Sequence, residues 1–336
     1  MIKSLHRPLT ILCHGSLLFL LGCAVPASSV QLTPTPAAAQ IIPAPEKEEE
    51  EYGFICPMHT DHTSDVEGKC PRCGMTLVRA ALFEMRDYKL DFVASPAAPR
   101  PGEPVTLTFA VAHPATGEAT RGFELVHDKP YHLFVISQDM TFFEHIHPQQ
   151  ADDGSWFIQT VLPTPGYYSV LSDFTPTGGS SQFLTRMIMT AGYQGDLLSN
   201  SARLVPDTVR TQTVDGLTAT LSLDPEAPRA GTYTHLTYRV SHDGKPVNDL
   251  QPYLGAFGHM LIMSEDMVDY VHSHPVEMPS HDVDIETLRS GPDVIFEGLM
   301  PKSGHFRAWA QFKYQDKVYT FANTFEVFEV GAQTSR

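Results

Sequence analysis

Beyond Cys73 the chain has no cysteine: all five, Cys13, Cys23, Cys56, Cys70 and Cys73, fall in the first quarter of its 336 residues. The long remainder therefore holds no disulfide framework. It also cannot build a blue-copper site, which needs a Cys thiolate. Positive charge is scarce, with 23 Lys and Arg against 39 Asp and Glu and a formal net charge of −16. That balance argues against nucleic acid as a partner, since phosphate binding needs a basic footprint, and it suits a protein that meets cations. The mostly apolar run over residues 9–21 is too short for a permanent spanning helix. There is no long amphipathic helix, no heptad run, no serine nucleophile motif, no phosphate loop and no dinucleotide fingerprint.

What is present starts with Lys3, His6 and Arg7 ahead of that apolar run, the layout of an export signal over residues 1–22. Leu20-Leu21-Gly22-Cys23 resembles a bacterial lipobox, which implies that Cys23 is lipidated and that the protein is held in the cell envelope by a lipid anchor. Ala24 after the cysteine resembles the outer-membrane sorting pattern of Gram-negative cells, on the periplasmic face. Residues 23–51 are rich in Pro, Ala and Glu without periodic apolar positions, and read as a flexible tether.

From about residue 87 the chain repeats itself. Val105–Val111 (VTLTFAV) matches Thr234–Val240 (THLTYRV), and His132–Met140 (HLFVISQDM) matches His259–Met267 (HMLIMSEDM). His145-Ile146-His147-Pro148 matches His272-Ser273-His274-Pro275. Each copy shows short alternating runs rich in β-branched and aromatic residues, punctuated by turns. The expected fold class is mainly β: a small zinc-ribbon-like knuckle at 52–80, then two tandem antiparallel β-sandwiches, immunoglobulin-like or cupredoxin-like, at 87–195 and 211–330.

The knuckle carries Cys56 and His59 (C-x-x-H) and then Cys70 and Cys73 (C-x-x-C). A two-residue gap turns both side chains of a pair onto one ion, and two pairs make a tetrahedral S₃N set. The string Tyr52…Cys56-Pro57-Met58-His59…Cys70-Pro71-Arg72-Cys73-Gly74-Met75 resembles the heavy-metal-binding domain carried by copper- and silver-efflux proteins. Thr60 stands where that family usually has Pro. The resemblance implies a soft metal ion and a metal efflux system as partner. Thioether support from Met58 and Met75 would suit Cu(I), whereas a structural zinc knuckle would use the methionines only as packing; both metals stay open.

Each repeat also carries a histidine and, 13 residues on, a His-x-His-Pro: His132, His145 and His147, then His259, His272 and His274. With Gln138-Asp139 and Glu265-Asp266 as two-residue hairpin loops, His132 falls opposite His145 and His259 opposite His272, and three imidazoles share one face. That is a three-nitrogen site for copper or zinc; the alternative is a structural signature of the fold. Asp173 in the first copy is matched by Gln311 in the second, so no shared carboxylate catalyst is implied and no catalytic residue is assigned. Three functions follow: an envelope-anchored metal-binding protein for buffering, delivery or resistance; a metal-dependent enzyme using a three-histidine site; or a surface interaction or spacer protein with a zinc knuckle.

Overall fold

A computed structural model describes residues 52–57, 62–81, 87–196, 201–276 and 284–331. The expected signal, tether and lipidated Cys23 lie outside the described residues, as do Met58 and His59. Among the described residues no helix is long and apolar enough to cross a membrane.

The knuckle is a three-stranded antiparallel sheet in the order β2-β1-β3, from β1 (Tyr52–Ile55), β2 (Thr63–Ser64) and β3 (Val78–Ala81). The first sandwich pairs two four-stranded sheets. One has the order β4-β5-β9-β8, with β4 Lys89–Ser95, β5 Pro104–Ala112, β9 Trp156–Val161 and β8 Gln149–Gln150. The other has the order β11-β10-β6-β7, with β11 Gln182–Met189, β10 Tyr167–Phe174, β6 His132–Ser137 and β7 Phe143–Ile146. The second sandwich repeats the plan. β12 (Thr211–Val214), β13 (Leu217–Asp224), β14 (Tyr233–His242) and β15 (Lys245–Pro246) form one sheet, with β18 (Asp293–Leu299) also on β14. The other has the order β17-β16-β19-β20, from β17 Tyr270–Ser273, β16 His259–Ser264, β19 Gly304–Tyr314 and β20 Lys317–Val327.

The period of two explains most of these strands. In β13, Leu217, Ala219, Leu221 and Leu223 point inward and their neighbours outward, as a sheet with one wet face requires. Each sandwich fills its own core, around Phe109, Tyr131 and Trp156 in the first and around Tyr238, Phe296, Phe312 and Phe321 in the second. Each such side chain, fully buried, contributes roughly 2–3 kcal/mol of hydrophobic stabilisation.

The strands at the centre of the second sheet of each sandwich break the alternation, β6 and β16 most completely. Every residue of β6 and of β16 is buried. Their second faces meet in a third core made from both repeats: Phe134, Ile136, Met140 and Leu171 from the first, Leu261, Met263 and Trp309 from the second. Phe143 stacks on Trp309 with ring centroids 4.8 Å apart, and Ala202 and Leu204 of the connecting segment close the edge of this core. All described residues lie within one compact unit, Glu49–Arg336.

The expected two-residue hairpin loops are replaced by longer ones. The register pairs Phe134 with His145 and Ile136 with Phe143, and in the second repeat Leu261 with His272. Each loop is therefore four residues, Gln138–Thr141 and Glu265–Val268, with Met140 and Met267 at positive φ (58° and 59°). Asp139 holds the first loop by accepting from Ser137 Oγ at 2.5 Å, Thr141 Oγ1 at 2.8 Å and Thr141 N at 3.1 Å. His132 thus does not sit opposite His145. The register moves by two residues, an even number, so every side chain keeps its expected face.

Candidate metal centres

In the knuckle, Cys56, Cys70 and Cys73 are all buried, and their sulfurs lie within 4.8 Å of one another. Gly74, at φ 74°, lets the chain turn directly after Cys73; its N–H donates to Cys70 O at 2.7 Å, while Cys70 N donates to Met75 O at 2.8 Å. The Cys56 and Cys73 sulfurs are 3.6 Å apart, too far for a disulfide and close to the roughly 3.8 Å edge of a tetrahedral thiolate site with 2.3 Å bonds. The hydrogen bond with Cys56 and burial together push the Cys73 thiol well above its ordinary range, while a backbone hydrogen bond with Met75 opposes them. A cation offsets such a cost directly, because it favours the thiolate. Met75 packs against the cysteines.

The repeat histidines converge as two triads: His132, His145 and His147, and His259, His272 and His274, each with its ligand nitrogens within 4.8 Å of one another. The acceptors behind the rings fix where the lone pairs point. His132 Nε2 lies 2.8 Å from Val126 O and His259 Nε2 lies 2.7 Å from Tyr253 O. A carbonyl only accepts, so both rings carry hydrogen on Nε2, and the lone pair of the neutral ring is on the inward Nδ1. His272 Nδ1 lies 2.6 Å from Asp173 Oδ2, which puts its lone pair on Nε2. His145 Nδ1 lies 2.9 Å from Gln311 Oε1, and the Gln311 amide nitrogen lies 3.1 Å from Thr320 Oγ1; in this arrangement the ring donates to the amide oxygen.

The consequence is sharpest between His132 Nδ1 and His145 Nε2, 3.0 Å apart. Both neutral rings direct their N–H outward, so two lone pairs face each other. A cation between them makes the contact favourable. A proton is the poor choice: burial, followed by the charges of neighbouring histidines, lowers His132 to about 4 and His145 well below the ordinary imidazole value. Burial likewise lowers His147 to about 3 and pushes His259 and His274 well down. At neutral pH these five rings are uncharged, the form in which an imidazole binds a metal ion. Among the described residues, His147 Nε2, His259 Nδ1 and His272 Nε2 have no hydrogen-bond partner.

The two triads are neighbours. Ring centroids lie 5.6 Å apart for His132 and His272, 6.0 Å for His145 and His259, and 6.2 Å for His145 and His272. The supporting contacts cross between repeats: His145 leans on Gln311 of the second sandwich and His272 on Asp173 of the first. Asp173 and Gln311 hold equivalent places, opposite His132 on β10 and opposite His259 on β19. His127 of the first repeat stacks on His274 of the second, with centroids 3.3 Å apart. Sequence reasoning noticed Asp173 and Gln311 only as a mismatch and missed His127. The uninterrupted apolar runs Leu133–Ile136 and Met260–Met263 are the signal that these strands are covered on both faces.

A cavity of about 240 Å³ is lined by Pro57 of the knuckle and by Asp173, Phe183, Tyr270, His272 and His274. The knuckle also touches both sandwiches: Ser181 Oγ donates to Pro57 O at 2.5 Å, and Arg72 donates to Tyr233 Oη at 3.0 Å and pairs with Glu297 at 3.3 Å.

The family described as "Heavy metal binding domain" matches residues 54–80, the segment that holds the cysteine triad, in agreement with the resemblance read from the motif. The module and the Cys and His clusters together make this a metal-binding protein. No curated protein matches the chain. Among solved structures, the Escherichia coli adhesin FdeC is similar at 12% identity over 77% of this chain and 71% of its own, with a TM-score of 0.23. The Yersinia pseudotuberculosis adhesin InvE is similar at 9% identity over 71% of this chain and 60% of its own, TM-score 0.22. A two-domain fibronectin type III segment of chicken tenascin is similar at 8% identity over 72% of this chain and 98% of its own, TM-score 0.19. Likenesses at this level carry no inference about what the protein does. The two sandwiches themselves match a family described as "Domain of unknown function (DUF8832)", over residues 85–191 and again over 212–329; this is well over half of the chain, and the chain belongs to that family.

Proposed function

We propose that the protein is a lipid-anchored protein of the cell envelope that binds copper or zinc and buffers it or hands it to a partner such as a metal efflux system. The observation that carries this reading is the pairing of a buried three-thiol cluster with two triads of imidazoles whose ring nitrogens converge. Thiolates suit Cu(I) and zinc, and imidazoles suit Cu(II) and zinc, so one chain offers sites for either redox state of copper. Delivery is supported by one cavity being lined both by Pro57, the residue after Cys56, and by His272 and His274.

The test is metal analysis of the purified chain under reducing conditions. Wild type is expected to hold more than one equivalent of copper or zinc. A Cys56→Ser/Cys70→Ser/Cys73→Ser variant should lose one equivalent, and a variant with the six repeat histidines changed to Gln should lose the rest. Uptake below one equivalent by wild type would end the proposal. Anchoring is checked separately: Cys23→Ser should move the protein from the membrane to the soluble fraction of its native host.

A further inference from the structure

We infer that the six histidines form one two-ion centre shared by both sandwiches, in which the second-repeat triad, supported by Asp173, fills before the first-repeat triad, supported by Gln311. This rests on the reading of the histidines as metal ligands and goes beyond it in three respects: the sites are coupled, they are unequal, and each is completed by the other repeat.

Coupling follows from distance. The inter-triad ring spacings of 5.6–6.2 Å overlap the spacings within a triad, which run from 4.7 Å for His272 and His274 to 6.4 Å for His259 and His272. Two ions held there are immediate neighbours in a buried setting, where charges are weakly screened. The first ion therefore opposes the second, and the two equivalents bind with separated affinities.

Inequality follows from chemistry. The repeats are alike in ligands and in the outward carbonyl contacts of His132 and His259. They differ at the supporting position on β10 and β19. His272 gives its Nδ1–H to a carboxylate, whereas His145 gives its own to a neutral amide. A carboxylate behind a ligating imidazole raises its basicity and adds a negative charge beside the ion, and losing such a partner typically costs 10–100-fold in metal affinity. A second difference lies at the same triad: His127 stacks on His274, while the equivalent position in the second repeat is Leu254, which has no ring to stack.

The experiment uses the full chain with Cys56, Cys70 and Cys73 changed to Ser, so that only the histidines bind, and Cu(II) as the probe. Calorimetric titration should show two equivalents of different affinity. Electron paramagnetic resonance should show an isolated Cu(II) at one equivalent. At two equivalents it should show lost intensity, or dipolar broadening with a half-field line. Asp173→Asn should weaken the tighter equivalent by about 10–100-fold. Gln311→Glu, which leaves Asp173 untouched, should tighten the weaker one by a similar factor. Two equal, magnetically isolated Cu(II) ions would overturn the shared centre while leaving metal binding intact. So would a tighter site indifferent to Asp173→Asn in a folded variant. Failure of the histidines to take up any Cu(II) would remove both this inference and their reading as ligands.

Discussion

At the scale of the residue, the chemistry is set by what stands behind each candidate ligand. The histidines were visible in the sequence because their spacing is repeated, and the cysteines because C-x-x-H and C-x-x-C spacings are rare without a metal. Their partners were not visible: Val126 and Tyr253 act through backbone carbonyls, which any residue type supplies, and Asp173 and Gln311 lie far along the chain from the rings they orient. Cys73 gives a direct test. Its thiol is pushed up by the hydrogen bond with Cys56 and by burial, so metal uptake at the knuckle must displace protons and must weaken as pH falls. Cys73→Ser is expected to weaken the thiolate-to-metal charge-transfer absorption of the copper-loaded knuckle, which keeps Cys56 and Cys70, and to lower its affinity more than tenfold, with the histidine equivalents unchanged. An undiminished absorption band would show that Cys73 is not a ligand.

At the scale of the element, the hairpin between β6 and β7 brings His145 and His147 to His132. The sequence predicts this hairpin but mistakes its loop, because a Gln-Asp pair gives no sign that Met140 will take positive φ with Asp139 accepting three hydrogen bonds. The triad survives the error because a shift of two preserves the faces of a strand. Asp139 is partly buried, which on its own would raise its pKa, but the bonds from Ser137 and Thr141 outweigh this and hold the carboxyl below its ordinary value. Removing it leaves Ser137 and Thr141 donors without their acceptor. Asp139→Ala should destabilise the protein by about 1–3 kcal/mol, read as a lower urea midpoint, and should weaken Cu(II) binding at the histidines. The equivalent Asp266, which accepts from Ser264 Oγ at 2.6 Å and Val268 N at 3.2 Å, should behave alike. A loop that tolerated either change without loss of stability or affinity would mean that the hairpin does not position the ligands.

At the scale of the whole molecule, the histidines are buried because two sandwiches meet, and that meeting was the least legible feature. Each sandwich core follows from alternation within its own repeat, but the third core joins β6 to β16 across a long stretch of chain, and only their unbroken apolar runs hint at it. Burial there has a cost that depends on pH. His132, His145, His147, His259 and His274 all have pKa values lowered by burial and by one another, with His132 at about 4 and His147 at about 3. An unfolded chain takes up protons on these rings from about pH 6.5 downward, while the folded protein does not until far lower. Between those limits the unfolded state binds more protons, so stability rises with pH. The contribution of these rings is therefore flat above about pH 6.5 and falls as pH drops toward 4. For His132 alone the loss below its folded value is on the order of 3 kcal/mol, a large part of a typical domain stability of about 5–15 kcal/mol. The metal-free protein should therefore lose thermal stability steeply between pH 6.5 and 4, with both sandwiches unfolding together because they share the third core. Zinc should raise the melting temperature most at pH 7 and less as protons compete for the rings. Changing the six repeat histidines to Gln should flatten both dependences. Calorimetric scans at pH 7, 5.5 and 4.5, with and without zinc, decide it; a metal-free melting temperature that stays constant across that range would contradict the buried, neutral histidine cluster on which the metal centre depends.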